Sequence, residues 1–351
     1  MIKRRDFIKH TAASTLVMGL PTAKVFGANH HFSQTPGEII RPKHLKKGDV
    51  IGLIAPGYSI TQEMLENSMS EIKAMGMEPY HTERVFGHHG YLSNTDDERA
   101  KDLMHMFTND RVKGIFCIRG GYGCTRILDM LNFDLIKQNP KILLGYSDIT
   151  ALLNAFYTKI GLVGFHGAMG PEPDSYAYKS VKTMVMDPTE KLTIKNYDFD
   201  EDALTNPEFD RYVITPGKAS GRLVGGNLSL LSAMNGTDYD IDYTNGLVCI
   251  EDVGEAPYRI DRMLTQMLST PSFKKAAGVI FGVCNGCDKK EGSDSFSLKE
   301  VLMDRIAPMG IPAVYGMSFG HIPESFTFPI GIEATLNTDG FALQLQQASL
   351  S

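Results

Sequence analysis

Apolar residues fall in short, regularly spaced blocks along the first half of the chain. Residues 49–56 form a continuous apolar run closed by Pro-Gly, the pattern of a strand buried on both faces of a parallel sheet. Helical spacing follows over 61–75, then a second strand over 77–82. Thr95-Asp96-Asp97-Glu98 is a capping-box-like start to a helix over 99–107. Residues 114–118 and 141–144 read as strands, 149–157 as a helix and 162–165 as a fifth strand. Strands alternating with helices across short links predict a parallel α/β sheet. From about 186 to 215 the chain turns polar, with Asp198, Asp200, Glu201, Asp202, Asn206 and Pro207, and reads as a linker. Shorter strands follow at 219–223, 247–250, 277–283, 313–315, 332–336 and 341–345, interrupted by one helix over about 258–268. The expected organisation is α/β: an N-terminal parallel-sheet, Rossmann-like domain over 40–185, a linker over 186–215, and a smaller strand-rich C-terminal domain over 216–351.

A length of 351 residues suits two domains, and a hydrophobic content of 42% suffices for a sizeable core. Residues 1–27 stand apart. A charged start (Lys3, Arg4, Arg5, Lys9) precedes an apolar run over 12–20 and small residues near Gly27 and Ala28, which is signal-peptide architecture. The run is shorter than the roughly 20 residues of a membrane-spanning helix. Arg4-Arg5-Asp6-Phe7-Ile8-Lys9 resembles the twin-arginine export motif. No cysteine precedes Cys117, so no lipid-anchor cysteine lies near the cleavage region. The expectation is a soluble periplasmic protein without a membrane anchor. The formal net charge is −6; without the leader, whose own net charge is +4, the remainder carries −10. Such a chain repels nucleic acid and anionic membranes, which are excluded as partners.

The candidate chemistry lies at three strand ends, where parallel sheets place their ligands: Arg119-Gly120-Gly121-Tyr122-Gly123, Gly145-Tyr146-Ser147-Asp148 and His166-Gly167. Ser147 occupies a strand-to-helix turn that lifts a hydroxyl out of the sheet. The turn departs from the G-x-S-x-G elbow, because Ile149 stands in place of the second glycine. Helix capping by Ser147 or Asp148 fits the same turn. Glu251 and Asp252 follow an apolar strand, and His321 lies in a loop between Gly320 and Pro323. There is no H-x-x-x-H or H-E-x-x-H spacing, so neither metal nor cofactor is expected. The five cysteines include Cys284-Asn285-Gly286-Cys287; its position after a strand places it in a loop, and a thiol function is the minor alternative.

Six segments together resemble the LD-carboxypeptidase family of serine peptidases, which includes the microcin-C immunity peptidases. They are Gly48-Asp49-Val50-Ile51 through Ala55-Pro56, Arg119 to Cys124, Gly145-Tyr146-Ser147-Asp148-Ile149-Thr150, Gly225-Gly226-Asn227-Leu228-Ser229, Ile250-Glu251-Asp252-Val253-Gly254-Glu255, and Gly320-His321 followed by Pro329-Ile330-Gly331. The resemblance implies a Ser147–His321–Glu251 triad assembled between two domains, a homodimer, and cleavage of the L,D bond that releases the terminal D-alanine of murein tetrapeptides. Many members of the family are cytosolic, so an export leader is a departure. Backbone N–H groups of Gly121 and Asp148 are the candidates for an oxyanion hole. A carboxypeptidase also needs a cation for the substrate carboxylate, and Arg119 and Arg262 are the two candidates. Two alternatives stand: an immunity-type peptidase cleaving an amide in a peptidyl-nucleotide, and a non-catalytic peptide-binding module.

Overall fold

The apolar blocks of the first half become five strands: β1 (Val50–Ile54), β2 (Glu78–Tyr80), β3 (Val112–Cys117), β4 (Ile142–Gly145) and β5 (Phe165–His166). Helices α1 (Gln62–Ala74), α2 (Asp96–Thr108), α3 (Phe133–Gln138) and α4 (Thr150–Ile160) separate them, and α5 (Tyr176–Met186) follows. The structure, a computed structural model, describes residues 37–168, 172–187 and 189–351. The leader and its twin arginines lie outside the described residues. Every residue of β4 is buried, as a strand covered on both faces requires. The helix starts are chemically marked: Thr95 Oγ1 accepts the Glu98 N–H at 3.3 Å, and Thr61 Oγ1 accepts from Met64, each satisfying an N–H that the first turn leaves unpaired.

The five strands pair in the order β2-β1-β3-β4-β5, all parallel. This is the doubly wound arrangement whose direction reverses between β1 and β3, and ligands collect at that reversal. The order refines the Rossmann-like expectation to its flavodoxin-like relative.

The second half forms an eight-stranded sheet: β6 (Thr193–Ile194), β7 (Tyr212–Thr215), β8 (Lys218–Asn227), β9 (Gly246–Glu251), β10 (Gly278–Val283) and β11 (Ala313–Gly320), then β13 (Glu333–Asn337) and β14 (Ala342–Leu345) after the two-residue β12 (Phe328–Pro329). The order is β6-β14-β13-β8-β9-β10-β11-β7. Its centre, β8 to β11, is parallel, and antiparallel strands flank it.

Three expectations need correction. The polar stretch over 186–215 is no plain linker, because it supplies β6 and β7, the two edges of the second sheet. Its polarity comes from short turns around Asp202 and Asn206, while Tyr212–Thr215 is a true strand. One helix was expected in the second half, but α6 (Leu228–Met234), α7 (Pro257–Ser269) and α8 (Leu298–Ile306) are present. The start of α8 is a full capping box between Ser297 and Glu300, a signal present in the sequence. Lastly, β12 joins the first sheet, pairing antiparallel with β5.

Further contacts tie the two sheets together. The Thr150 hydroxyl accepts the Asn227 N–H at 3.0 Å, and the Asn154 amide donates to Gly225 O at 2.9 Å. Both side chains belong to α4, so the helix behind Ser147 is fastened to the end of β8. Cys284 and Cys287 are free and buried. Burial raises the Cys284 thiol well above its ordinary range and the Cys287 thiol to about 12, so both stay protonated and unreactive at neutral pH.

Candidate active site

Ser147 follows β4 and opens a short turn, Ser147–Ile149, that runs into α4. Its φ is +60°, a left-handed conformation that costs a side-chain-bearing residue roughly 1–2 kcal/mol. Such strain is retained where the surrounding structure holds it, often at functional turns. The capping alternative does not hold. Tyr146 is the cap residue and makes no side-chain cap bond, while the Asp148 carboxylate turns away to accept the Cys124 N–H at 2.8 Å. Ser147 thus sits on a half-buried bend with no structural task for its hydroxyl among the described residues.

The Arg119–Gly123 loop lies directly against this turn. A Cβ on Gly120 would sit 2.9 Å from Ser147 Cβ and 3.0 Å from Asp148 N, so only glycine lets the loop approach the serine without covering the Asp148 amide. Gly121 has φ +90° and packs on the Tyr58 ring. The loop therefore has Ser147 on one side and Tyr58 on the other. Tyr58, Tyr91 and Tyr122 continue outward as a ledge, with ring centroids 5.4 and 6.0 Å apart. Tyr91 is 53% exposed. Arg119 lies over the Tyr58 ring at 5.3 Å and donates to Ser59 O at 2.8 Å.

From the second sheet come Glu251, the last residue of β9, and His321, which follows β11. Glu251 is fully buried, and His321 Nδ1 lies 2.7 Å from its Oε2. The His321 ring meets Tyr146, the neighbour of Ser147, at 4.9 Å between centroids. The serine turn, the imidazole and the carboxylate are thereby brought to one place at the strand ends of both sheets. Burial alone would lower the pKa of His321, but the hydrogen bond and charge of Glu251, with Asp252 adding, raise it above the ordinary value. Burial likewise pushes Glu251 upward, and the His321 hydrogen bond and charge, with smaller contributions from His166 and from a hydrogen bond of the Asn227 side chain, outweigh it, leaving Glu251 below the usual carboxylate range.

Strand alternation decides between the two acids of the Glu251-Asp252 pair. Asp252 faces the other way and accepts from Asn227 Nδ2, from Ser229 N and Oγ, and from Val253 N, all at 2.8–3.1 Å. Burial and the Glu251 charge lift its pKa to about 6.

Of the two arginines, Arg119 sits on the loop that borders Ser147. Arg262 lies on α7 with its guanidinium 6.0 Å from the Tyr258 ring, and among the described residues no hydrogen bond or ring contact joins it to the Glu251–His321 pair. Among the described residues, no group of three or more His, Cys, Asp or Glu side chains is arranged to hold a metal ion. Two residues without an assigned role in the sequence also reach the site. Asn227 stands at the end of β8, level with Glu251, in the Gly-Gly-Asn segment. His166 ends β5, and its strand-end position was the only sign of it.

Comparison with known proteins places the chain in a family. The LD-carboxypeptidase N-terminal domain matches residues 51–167 and the C-terminal domain residues 220–336. The fold and the match define a peptidase, and the chain belongs to the LD-carboxypeptidase family. A probable murein peptide carboxypeptidase of Bacillus subtilis is 39% identical over 85% of this chain and 92% of its own. The microcin C7 self-immunity protein MccF of Escherichia coli is 28% identical over 74% of this chain and 81% of its own. The crystal structure of a muramoyltetrapeptide carboxypeptidase from Oxalobacter formigenes superposes with a TM-score of 0.70 at 27% identity, covering 84% of this chain and 97% of that one.

Proposed function

We propose that the protein is a serine carboxypeptidase that hydrolyses the L,D amide bond to the terminal D-alanine of murein tetrapeptides. One observation carries this reading. A serine on a strained turn at a helix N-terminus stands beside an imidazole whose Nδ1 is held by a buried carboxylate. In that geometry His321 Nε2 takes the Ser147 proton as Oγ attacks the scissile carbonyl. Glu251 fixes the Nδ1–H tautomer and stabilises the imidazolium. The imidazolium then gives its proton to the leaving amine of D-alanine. A water, deprotonated by the same imidazole, attacks the acyl-enzyme; the proton returns to Ser147 as the ester breaks. The N–H groups of Gly121 and Asp148 face the oxyanion, and Arg119, on the loop beside Ser147, receives the substrate carboxylate in preference to Arg262.

Incubation with purified muropeptides and mass spectrometry of the products tests this directly. The expected product is the tripeptide with loss of a single alanine; release of any other fragment, or none, rejects the substrate. The tyrosine ledge favours a second reading, cleavage of an amide in a peptidyl-nucleotide whose base stacks on Tyr58 and Tyr91. A peptidyl-nucleotide in the same assay separates the two.

We propose further that the leader directs export to the periplasm by the twin-arginine route and that the protein acts there as a homodimer. Replacing Arg4 and Arg5 with lysine is expected to leave the precursor in the cytoplasm. Undiminished periplasmic protein from that double variant, measured by fractionation and immunoblotting, assigns export to the general secretory route instead.

A further inference from the structure

Two buried polar atoms beside the Glu251–His321 pair make no hydrogen bond, and they face each other. They are Glu251 Oε1 and His166 Nε2, 3.8 Å apart, in side chains that are almost wholly shielded from solvent. Groups bridged by one water, with two bonds of about 2.8 Å meeting at a near-tetrahedral angle, stand roughly 4.5 Å apart, and this pair is already closer than that. A shift of under about 1 Å would bring the pair to hydrogen-bond distance, and catalytic hydrogen bonds commonly tighten when substrate binds. The His166 ring is not free to turn away. Phe328 stacks on it at 4.8 Å with 23° between planes, and the backbone of Gly226 closes in beside it, where a Cβ would lie 3.0 Å from His166 Cδ2. His166 comes from the first sheet and Glu251 from the second, so this contact also spans the two.

We propose that His166 is a positioning residue: a neutral imidazole that donates its Nε2 proton to Glu251 Oε1, so that the carboxylate is held between two imidazoles and only part of its charge acts on His321. The proposal rests on the reading of Glu251 and His321 as members of the catalytic triad. The proposal assigns the proton to Nε2, because a lone pair there would point at a carboxylate oxygen, against the competing pull of the residue's own backbone carbonyl on the ring. Burial, opposed by Glu251 and the residue's own backbone and joined by the His321 charge, lowers the His166 pKa to about 4, so the ring is neutral across the working range and contributes a dipole rather than a charge. The other ionisable groups around the pair are Asp252, which adds to the raising of His321, and the Tyr146 phenol, which burial and the Glu251 charge keep protonated. Neither meets Oε1 with a hydrogen bond.

The consequence is a trimmed basicity. Without a donor on Oε1, more of the carboxylate charge, which the Asn227 side chain also shares, would fall on His321 and hold its proton more tightly. The measurement is the titration of the His321 ring by nitrogen-15 NMR in the full chain, beside the pH profile of kcat/KM. In the wild type, His166 is expected to remain neutral with its proton on Nε2 from pH 5.5 to 8. In His166→Phe, which keeps the stack on Phe328 but removes the donor, the His321 midpoint and the acid limb are expected to rise together by about half a pH unit or more. His166→Gln restores a donor and should bring both back toward the wild type. An unchanged His321 midpoint in folded His166→Phe overturns the proposal. A wild-type His166 protonated on Nδ1 overturns it as well, and that result needs no variant to fold. Failure of the triad reading is separate, because it is read from turnover by Ser147→Ala and leaves the ring titrations untouched.

Discussion

Ser147→Ala is expected to lower kcat for D-alanine release by roughly 10⁴- to 10⁶-fold while the protein keeps its fold. The hydroxyl makes no contact that the scaffold needs, since the turn is held by Asp148 on Cys124 and by the Arg119–Gly123 loop. Circular dichroism and the melting temperature should therefore match the wild type. His321→Ala should cost about as much, because attack and proton transfer belong to one concerted step. The double variant should be no worse than either single one, since residues that act as a unit do not add. Turnover within tenfold of wild type by Ser147→Ala, measured by D-alanine release, would remove the serine mechanism.

Glu251→Gln is the second large effect, on the order of 10⁴-fold in kcat by analogy with other triads. The amide keeps the shape, but it can present its N–H to His321 and impose the wrong tautomer. It also removes the charge that raises His321, leaving burial to lower the imidazole pKa. Residual activity should therefore show an acid limb displaced to lower pH, opposite in sign to the displacement expected for His166→Phe. Asp252→Asn should behave differently. Its four donors need a two-oxygen acceptor, and turning one oxygen into a donor costs about 1–3 kcal/mol. The expected outcome is a lower melting temperature with most of the turnover rate retained. If folded Asp252→Asn loses far more activity than Glu251→Gln, the carboxylate assignment is wrong.

The centre of the first sheet was legible because β1, β3 and β4 are apolar blocks that run into glycine-bearing turns, and parallel strands buried on both faces leave that trace. The strand bounds missed by only a few residues at 50–54, 112–117 and 142–145. Less legible were β6 and β12, two residues each, because a two-residue bridge at a sheet edge has no periodicity to read. The helix α6 has seven residues and begins inside a glycine-rich segment, too short for a helical pattern to emerge. At the site, Ser147, Glu251 and His321 stood out only through the resemblance of their surroundings to a family. Locally, the serine turn fitted a helix cap better than a nucleophile, and only the observed φ and the engagement of Asp148 with Cys124 separate the two. His166 and Asn227 were invisible in their roles, since what matters about them is which strand end lies opposite, and that is a property of the packed sheets.

The strand β12 has a consequence for how the molecule could be cut or recombined. Residues 328–329 lie late in the chain yet complete the edge of the first sheet, immediately after the segment that carries His321. Their Phe328 ring also walls in His166. A fragment ending at the polar stretch would lack that edge and expose the apolar side of β5, so it should aggregate when expressed alone. The two halves are therefore not interchangeable cassettes. A chimera joining the first half of this chain to the second half of a relative would have to bring residues 328–329 along with the first half, or match them.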